Sequence, residues 1–164
     1  MIFVVAVVSV LLPIVPAPAI VLDESQALDL DIGDAWTRVE APEGALARWE
    51  RGGETVVVAR SRGNTDGAYA KDKAARTTYL DGIERGVRDE TPGYRRIARA
   101  ERTLGSNKAV PVLDLWFSGP EGVRGMRFLL YRGYTVVLAL ASPGKKRTAE
   151  HRRIVESFRP VSLK

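Results

Sequence analysis

His151 is the first residue to consider for catalysis, because it is the only histidine in a chain that contains no cysteine. A serine hydrolase would need a nucleophile, and the sequence has no Gly-x-Ser-x-Gly motif to supply one. His151 precedes the apolar residues Ile154 and Phe158 by three and seven positions, a spacing typical of a structural histidine beside the packed face of a helix. The sequence therefore predicts no catalytic residue and no cofactor. A hydrolase of an unrecognised type is the alternative.

Asp29, Asp31 and Asp34 are the best candidates for metal ligands, since calcium prefers carboxylate oxygens. The ligand spacing of an EF-hand and its distal glutamate are absent. Asp29 and Asp31 alternate with Leu28 and Leu30, which is typical of the solvent side of a strand. A single histidine and no cysteine also leave too few ligands for zinc. We therefore predict no metal site.

A cluster of basic side chains is the strongest candidate binding site. Its members are Lys145, Lys146, Arg147, Arg152 and Arg153. They surround the start and middle of a predicted C-terminal helix, where cations at the N-terminus oppose the helix dipole, so the cluster favours a role in binding. Residues 1–90 carry a net charge of −5 and residues 91–164 a net charge of +10. Such a split indicates an anionic partner, or two sides that complement each other within one fold.

The partners that suit this cluster are an acidic envelope protein, an acidic envelope polymer or anionic phospholipid. Further arginines on the predicted sheet would extend the basic surface: Arg95, Arg96, Arg99, Arg102, Arg124, Arg127 and Arg132. No aromatic stacking motif interleaves them, so nucleic acid is not a predicted partner. A solvated face rich in arginine is the alternative interpretation.

The three tryptophans differ in their surroundings. Trp36 and Trp116 are expected in the core or at the rim of a sheet. Trp49 lies between Arg48 and Glu50 and is the best candidate for an exposed aromatic side chain. An exposed tryptophan would indicate a binding surface.

The N-terminal segment has the composition of a targeting signal. Residues 1–19 contain no charged side chain, and Ala17-Pro18-Ala19 has the small-x-small form that a signal peptidase accepts. We predict a signal peptide over residues 1–19, although the usual basic residue before the apolar run is missing. A membrane anchor over residues 1–22 is the alternative, but three prolines interrupt it. We expect an exported protein, periplasmic or secreted, with at most peripheral membrane contact.

Apolar periodicity predicts about seven strands and two helices. The strands are Leu28–Ile32, Ala45–Arg51, Thr55–Arg60, Tyr94–Leu104, Val110–Ser118, Val123–Arg132 and Tyr134–Ala141. The first helix is predicted from a cap at Thr65 or Asp66 to about Glu90, and the second over Lys145–Phe158. Residues 20–27 are predicted to be a flexible lead-in, which leaves a single domain over residues 28–162.

The order of these elements predicts an α+β fold. Short turns join the last four strands, which is typical of an antiparallel meander. Strands and helices do not alternate regularly, so a parallel sheet is not expected. The prediction is an antiparallel sheet of about six to seven strands, with a long central helix and a C-terminal helix packed on it.

This arrangement resembles the PsbP-like α/β/α sandwich, a superfamily that includes the DcrB-like bacterial envelope proteins. The matching features are Trp36, the strand Tyr134–Ala141, and Ile154, Ser157, Phe158 and Pro160 near the end of the chain. The resemblance covers about residues 28–160 and includes no catalytic motif. It implies a non-catalytic accessory or binding domain of the bacterial cell envelope. A structural or chaperone-like envelope protein is a further alternative.

Overall fold

The computed structural model describes residues 20–23, 26–62, 72–105 and 110–163. The predicted signal peptide and the predicted helix cap at Thr65 or Asp66 lie outside these ranges. Within them, no helix is both long enough and apolar enough to cross a membrane.

Ten strands and two helices make up the described part of the chain. The strands are β1 (Ile20–Asp23), β2 (Gln26–Asp29), β3 (Thr37–Val39), β4 (Ala45–Arg51), β5 (Glu54–Arg62), β6 (Arg95–Leu104), β7 (Val110–Gly119), β8 (Gly122–Tyr131), β9 (Tyr134–Ser142) and β10 (Arg159–Pro160). The helices are α1 (Lys73–Asp89) and α2 (Ala149–Ser157), and a 3-10 turn follows at Val161–Leu163.

Seven strands form one antiparallel sheet in the order β3-β4-β5-β9-β8-β7-β6. Strands β6 to β9 pair in chain order, so the predicted meander is confirmed. Strand β5 pairs along β9, from Thr55 opposite Ala141 to Arg62 opposite Tyr134. The turn from β4 into β5 is formed by Gly52 and Gly53, both with positive φ, as that pair of glycines predicts.

The two faces of this sheet bury separate cores. Successive residues of a strand point to opposite faces, so β7 contributes to both. On one face, Leu113 and Leu115 pack with Leu80 of α1. On the other face, Trp116 belongs to a larger core that includes Ile154 of α2. Helix α1, the sheet and α2 therefore form three layers, which confirms the predicted α+β sandwich.

The sequence predicted a flexible lead-in over residues 20–27, but strand β1 and the start of β2 lie in this segment. Together with β10 they form a second sheet. Ile20 pairs with Leu28, and the side chains of Ile20 and Leu22 are buried, whereas Val21 is 62% exposed. This alternation spans only three residues and follows an apolar segment directly, so it does not stand out in the sequence. Ile20–Asp23 and Gln26–Asp29 therefore belong to the folded domain and are not a loose lead-in.

Both helices begin later than their apolar periodicity predicted. Helix α1 begins after Asp72, whose carboxylate accepts a 3.0 Å hydrogen bond from the backbone N–H of Ala74. Helix α2 begins after Thr148, whose hydroxyl accepts one from the backbone N–H of His151 at 3.1 Å. Short polar side chains at these positions satisfy N–H groups that have no partner within the helix. The caps, and not the apolar spacing, therefore determine where each helix starts.

Candidate functional site

The predicted basic cluster is divided between two parts of the fold. The loop between β9 and α2 carries Lys145, Lys146 and Arg147, and α2 carries Arg152 and Arg153. The three loop residues precede the helix, contrary to the prediction that they begin it. The first turn of α2 instead contains Glu150, a charge that the N-terminal end of the helix dipole favours.

Arg147 is held by the sheet beneath the loop. Its guanidinium carbon lies 5.2 Å from the centre of the Trp116 ring, in a cation–π contact. Trp116 packs closely over Gly125 of β8, where an added Cβ would lie only 2.5 Å from the ring. The loop is thereby fixed to the sheet, and Arg147 is only half-exposed.

Arg153 is engaged with the segment that follows β2. Its guanidinium forms an ion pair with the carboxylate of Asp31 and donates a 3.3 Å hydrogen bond to the Asp31 carbonyl oxygen. The hydrogen bond to Asp31 raises the pKa of Arg153 above its ordinary value. Arg153 therefore connects α2 to the neighbouring chain segment, and its charge is already partly compensated.

The other three members of the cluster are exposed. They are Lys145, Lys146 and Arg152. Within the described ranges, none of their side chains has an ion-pair partner. We refer to Lys145, Lys146 and Arg152 as the basic surface.

A polar network beneath the loop holds the start of α2. The Nδ1 atom of buried His151 accepts the backbone N–H of Thr148 at 3.3 Å, so Nε2 carries the proton and donates to Glu54 at 2.7 Å. The Ser142 hydroxyl donates to the same oxygen of Glu54 at 2.8 Å. Arg51 donates to the other oxygen at 2.6 Å. The Glu54 carboxylate is thus the centre of the network.

This network differs from a hydrolytic triad in the order of its members. In a triad the histidine lies between the hydroxyl and the acid, so that it can remove the hydroxyl proton. Here the Glu54 carboxylate lies between Ser142 and His151. Burial alone would raise the pKa of Glu54, but hydrogen bonds from Arg51, Ser142 and His151 outweigh it and lower the pKa. The geometry supports the structural role that the sequence predicted for His151.

Sequence reasoning missed a buried ion pair that fixes the other end of α2. Arg127 of β8 is 2% exposed and donates to both carboxylate oxygens of Asp114 on β7, at 2.7 and 2.8 Å. It also donates to the carbonyl oxygens of Glu156 and Phe158, at 2.6 and 3.3 Å. The available signal was a pair of charged residues at directly opposed, inward positions of neighbouring strands. Arg127 stabilises the fold and does not contribute to the basic surface.

Other arginines of the meander also bind carboxylates of the chain itself. Arg96 and Arg99 lie on the α1 side of the sheet, where both pair with Glu84. Arg124 pairs with Glu121 in the turn between β7 and β8. Because α1 and α2 cover opposite faces, Arg96 and Arg99 do not extend the basic surface as predicted.

Trp49 is only 8% exposed, so its prediction as an exposed aromatic is wrong. It lies on the inward side of β4, opposite Val56. The charged residues on either side of it, Arg48 and Glu50, occupy the outward positions of the same strand. Alternation of side chains along a strand is the physical reason, and the two charges flanking Trp49 were its sequence signal.

The predicted aspartate candidates are engaged with arginines or lie apart. Asp31 pairs with Arg153, and an oxygen of Asp29 lies 4.0 Å from Arg159. Across the part of the chain that the structure describes, no group of three or more histidine, aspartate or glutamate side chains is placed to hold a metal ion.

A cavity of about 240 Å³ opens beside the C-terminal end of α1. Val57, Ala139 and Ala141 of the sheet form its floor, and Val87 and Arg124 border it. Ligand pockets generally measure about 300–1,000 Å³, so this cavity alone lies just below that range. A second cavity of about 290 Å³ adjoins it and shares Glu90, Thr91 and Arg124.

No family model and no curated protein matches the sequence. Solved structures do match the fold, and two of them cover most of this chain. The solution structure of cyanobacterial PsbP (CyanoP) from Synechocystis sp. PCC 6803 has a TM-score of 0.55 at 13% identity, over 80% of this chain and 85% of that chain. The crystal structure of LpqN, involved in cell envelope biogenesis of Mycobacterium tuberculosis, has a TM-score of 0.51 at 14% identity, over 88% of this chain and 86% of that chain. This chain therefore has a PsbP-like fold, as the sequence resemblance implied.

Proposed function

We propose that this protein is a non-catalytic accessory domain of the bacterial cell envelope that docks on an anionic partner through the basic surface. The observation that carries the proposal is the exposure of Lys145, Lys146 and Arg152 without intramolecular ion pairs among the described residues. The predicted signal peptide over residues 1–19 supports export. The likeness to LpqN, a protein involved in cell envelope biogenesis, supports the same compartment.

Rigid presentation of the three cations favours binding. The loop that carries Lys145 and Lys146 is held at its end by Arg147 on Trp116. Helix α2, which carries Arg152, is capped at its start and held by Arg127 at its end. A surface that is ordered before binding loses little conformational entropy when a partner docks.

The proposed partner is an envelope protein with an acidic surface, or another anionic surface of the envelope. Exposed cations attract such partners over several ångströms and increase the rate of association. Salt screens exposed charges, so the interaction should weaken as ionic strength rises.

The proposal is tested by affinity capture from envelope fractions at low and at high salt. Lys145→Glu combined with Lys146→Glu should abolish capture that the unmodified protein shows at low salt. Lys73→Glu with Arg85→Glu is the matched control, because both residues are exposed on α1 at the other face of the sheet and the change in net charge is identical. If the Lys145 and Lys146 variant captures the same proteins as the unmodified chain at low salt, the basic surface is not the docking site.

A further inference from the structure

The seven-stranded sheet ends at β6, whose outer edge pairs with no other strand among the described residues. This strand is ten residues long. The backbone N–H and C=O groups along such an edge are a ready template for another strand. A bulge between Arg96 and Ala98, at which Ile97 is 45% exposed, limits a regular ladder to 98–104.

We propose that β6 pairs antiparallel with β6 of a second copy of this chain, with Ala100 opposite its own copy. Two copies joined antiparallel along one edge are related by a two-fold axis perpendicular to the sheet. That axis leaves every side chain on its own face. Directly opposed residues of an antiparallel pair also share a face. Residues an odd number of positions apart in β6 lie on opposite faces, so they cannot be directly opposed. The pairing is therefore possible only in registers where one residue lies opposite its own copy.

Charge and geometry together eliminate most of these registers. A register centred on Arg99, Glu101 or Arg102 would place two like charges directly opposite each other, which is destabilising. A register centred on Ala98 would run into the bulge. One centred on Thr103 would leave a ladder of only a few residues.

The register centred on Ala100 brings opposite charges together. Arg99 of each copy lies opposite Glu101 of the other. Both residues are on the α1 face, since they pair with Leu115 and Leu113 on β7. Arg99 and Glu101 of one chain already form an ion pair at 2.5 Å, so the two copies would complete a ring of four alternating charges. The small side chain of Ala100 allows the strands to approach at the axis.

A single strand ladder gives a weak dimer. Stable interfaces bury at least about 1,000 Å² in total, and the five residues that this register pairs on each copy, 98–102, bury less than that. Dimerisation should therefore depend on protein concentration. It does not rest on the basic surface, since β6 is the edge strand of the main sheet whereas the basic surface belongs to the α2 layer. Each proposal can fail without the other.

The absence of cysteine from the chain makes a single introduced cysteine a clean reporter of this register. Opposed residues of an antiparallel pair have Cα atoms about 4.5–5.5 Å apart, within the range that a disulfide spans. Ala100→Cys should give a covalent dimer on mild oxidation, resolved on a non-reducing gel. Thr103→Cys is the matched control on the same strand, because its two copies would lie about 20 Å apart along the ladder.

Charge provides a second test within the same experiment. Adding Glu101→Arg to Ala100→Cys places an arginine opposite Arg99 and should slow formation of the covalent dimer at least several-fold. The proposal is overturned if Ala100→Cys forms dimers no faster than Thr103→Cys, or if Ala98→Cys or Arg102→Cys forms them fastest.

Sedimentation of the chain without an introduced cysteine tests the dimer even if a cysteine variant fails to fold. The apparent mass of the unmodified protein should rise with concentration. The Glu101→Arg variant should remain monomeric over the same range. A monomer at every concentration for the unmodified chain, or equal association of both proteins, overturns the pairing.

Discussion

Arg127 brings three elements of the fold together through one guanidinium group. Its contacts join β8 to Asp114 on β7 and to the last carbonyl oxygens of α2. A buried charge is tolerated when a partner of opposite charge and further hydrogen bonds replace the lost water. Arg127 has both, which explains how so large a polar side chain lies in the core.

Arg127→Met should lower the free energy of unfolding by about 3–5 kcal/mol, because it leaves the buried Asp114 carboxylate with only the more distant guanidinium of Arg102, at 3.6 Å, as a charged partner. Urea unfolding followed by circular dichroism measures the change. Arg124→Met is the control, since Arg124 lies on the same strand and makes an exposed ion pair that contributes less than about 1 kcal/mol. Similar losses in the two variants would contradict the structural role of Arg127.

The Glu54 carboxylate makes the free energy of unfolding depend on pH in the acid range. Its pKa lies below the ordinary value of 4.5 because hydrogen bonds outweigh the opposing effect of burial, so the unfolded state binds the proton more readily. The stabilisation is present in full above the ordinary pKa and is lost as pH falls through the lowered pKa. Glu54→Gln should therefore reduce stability at neutral pH and flatten its decline below about pH 5.

Urea titrations at several pH values measure this effect. Glu40→Gln, at an exposed position, should leave the pH dependence unchanged. A decline below about pH 5 that is equally steep with and without Glu54 would show that another group is responsible.

Local sequence predicts the position of His151 but not its partner. Its spacing from Ile154 and Phe158 correctly placed it beside the packed face of α2. Glu54 lies 97 residues away in the chain, and only the pairing of β5 with β9 brings it near α2. The partner of a polar core residue is set by topology, which a single sequence does not specify.

Elements with a clear period and flanking turns were the most predictable. The four meander strands fall within a residue or two of their predicted bounds, because each alternates or is apolar and ends at a glycine turn. Strands β1, β3 and β10 have two to four residues each, which is too few for a period to show. The alternation of Leu28, Leu30 and Ile32 predicted a strand over Leu28–Ile32, but β2 covers Gln26–Asp29 and shares only Leu28 and Asp29 with that prediction. Both helices start later than predicted because a single capping side chain sets the first residue of a helix, whereas the apolar spacing extends further towards the N-terminus.

The glycines of α1 provide a prediction at the scale of the element. Gly82 lies in the helix interior, and an added Cβ would meet nothing within 4 Å. Gly82→Ala should therefore raise the free energy of unfolding by about 1 kcal/mol through helix propensity alone. Gly125→Ala should have the opposite sign, because the added Cβ would meet the Trp116 ring at 2.5 Å. Thermal unfolding compares the two, and a Gly82→Ala variant that melts lower would contradict the open position of this glycine.

In the folded molecule, carboxylates from the acidic half of the sequence form ion pairs and hydrogen bonds with residues of the basic half. Asp31 and Glu54 of the acidic half bind Arg153 and His151 of α2. Glu84 of α1 binds arginines of β6. Part of the charge asymmetry is therefore complementarity within one fold, one of the two interpretations that the sequence left open. Lys145, Lys146 and Arg152 have no such partners among the described residues, which is why the proposed docking site is narrower than the cluster in the sequence.

The central claim is that one surface, and not the general excess of arginine, binds anionic partners. An NMR titration of the isotopically labelled protein with an oligoglutamate peptide tests it most directly. We expect amide shifts to concentrate in residues 143–153, to disappear at high salt, and to be absent in the Lys145→Glu and Lys146→Glu variant. Shifts spread over the arginines of both sheet faces, or shifts that persist in that variant, would contradict the claim.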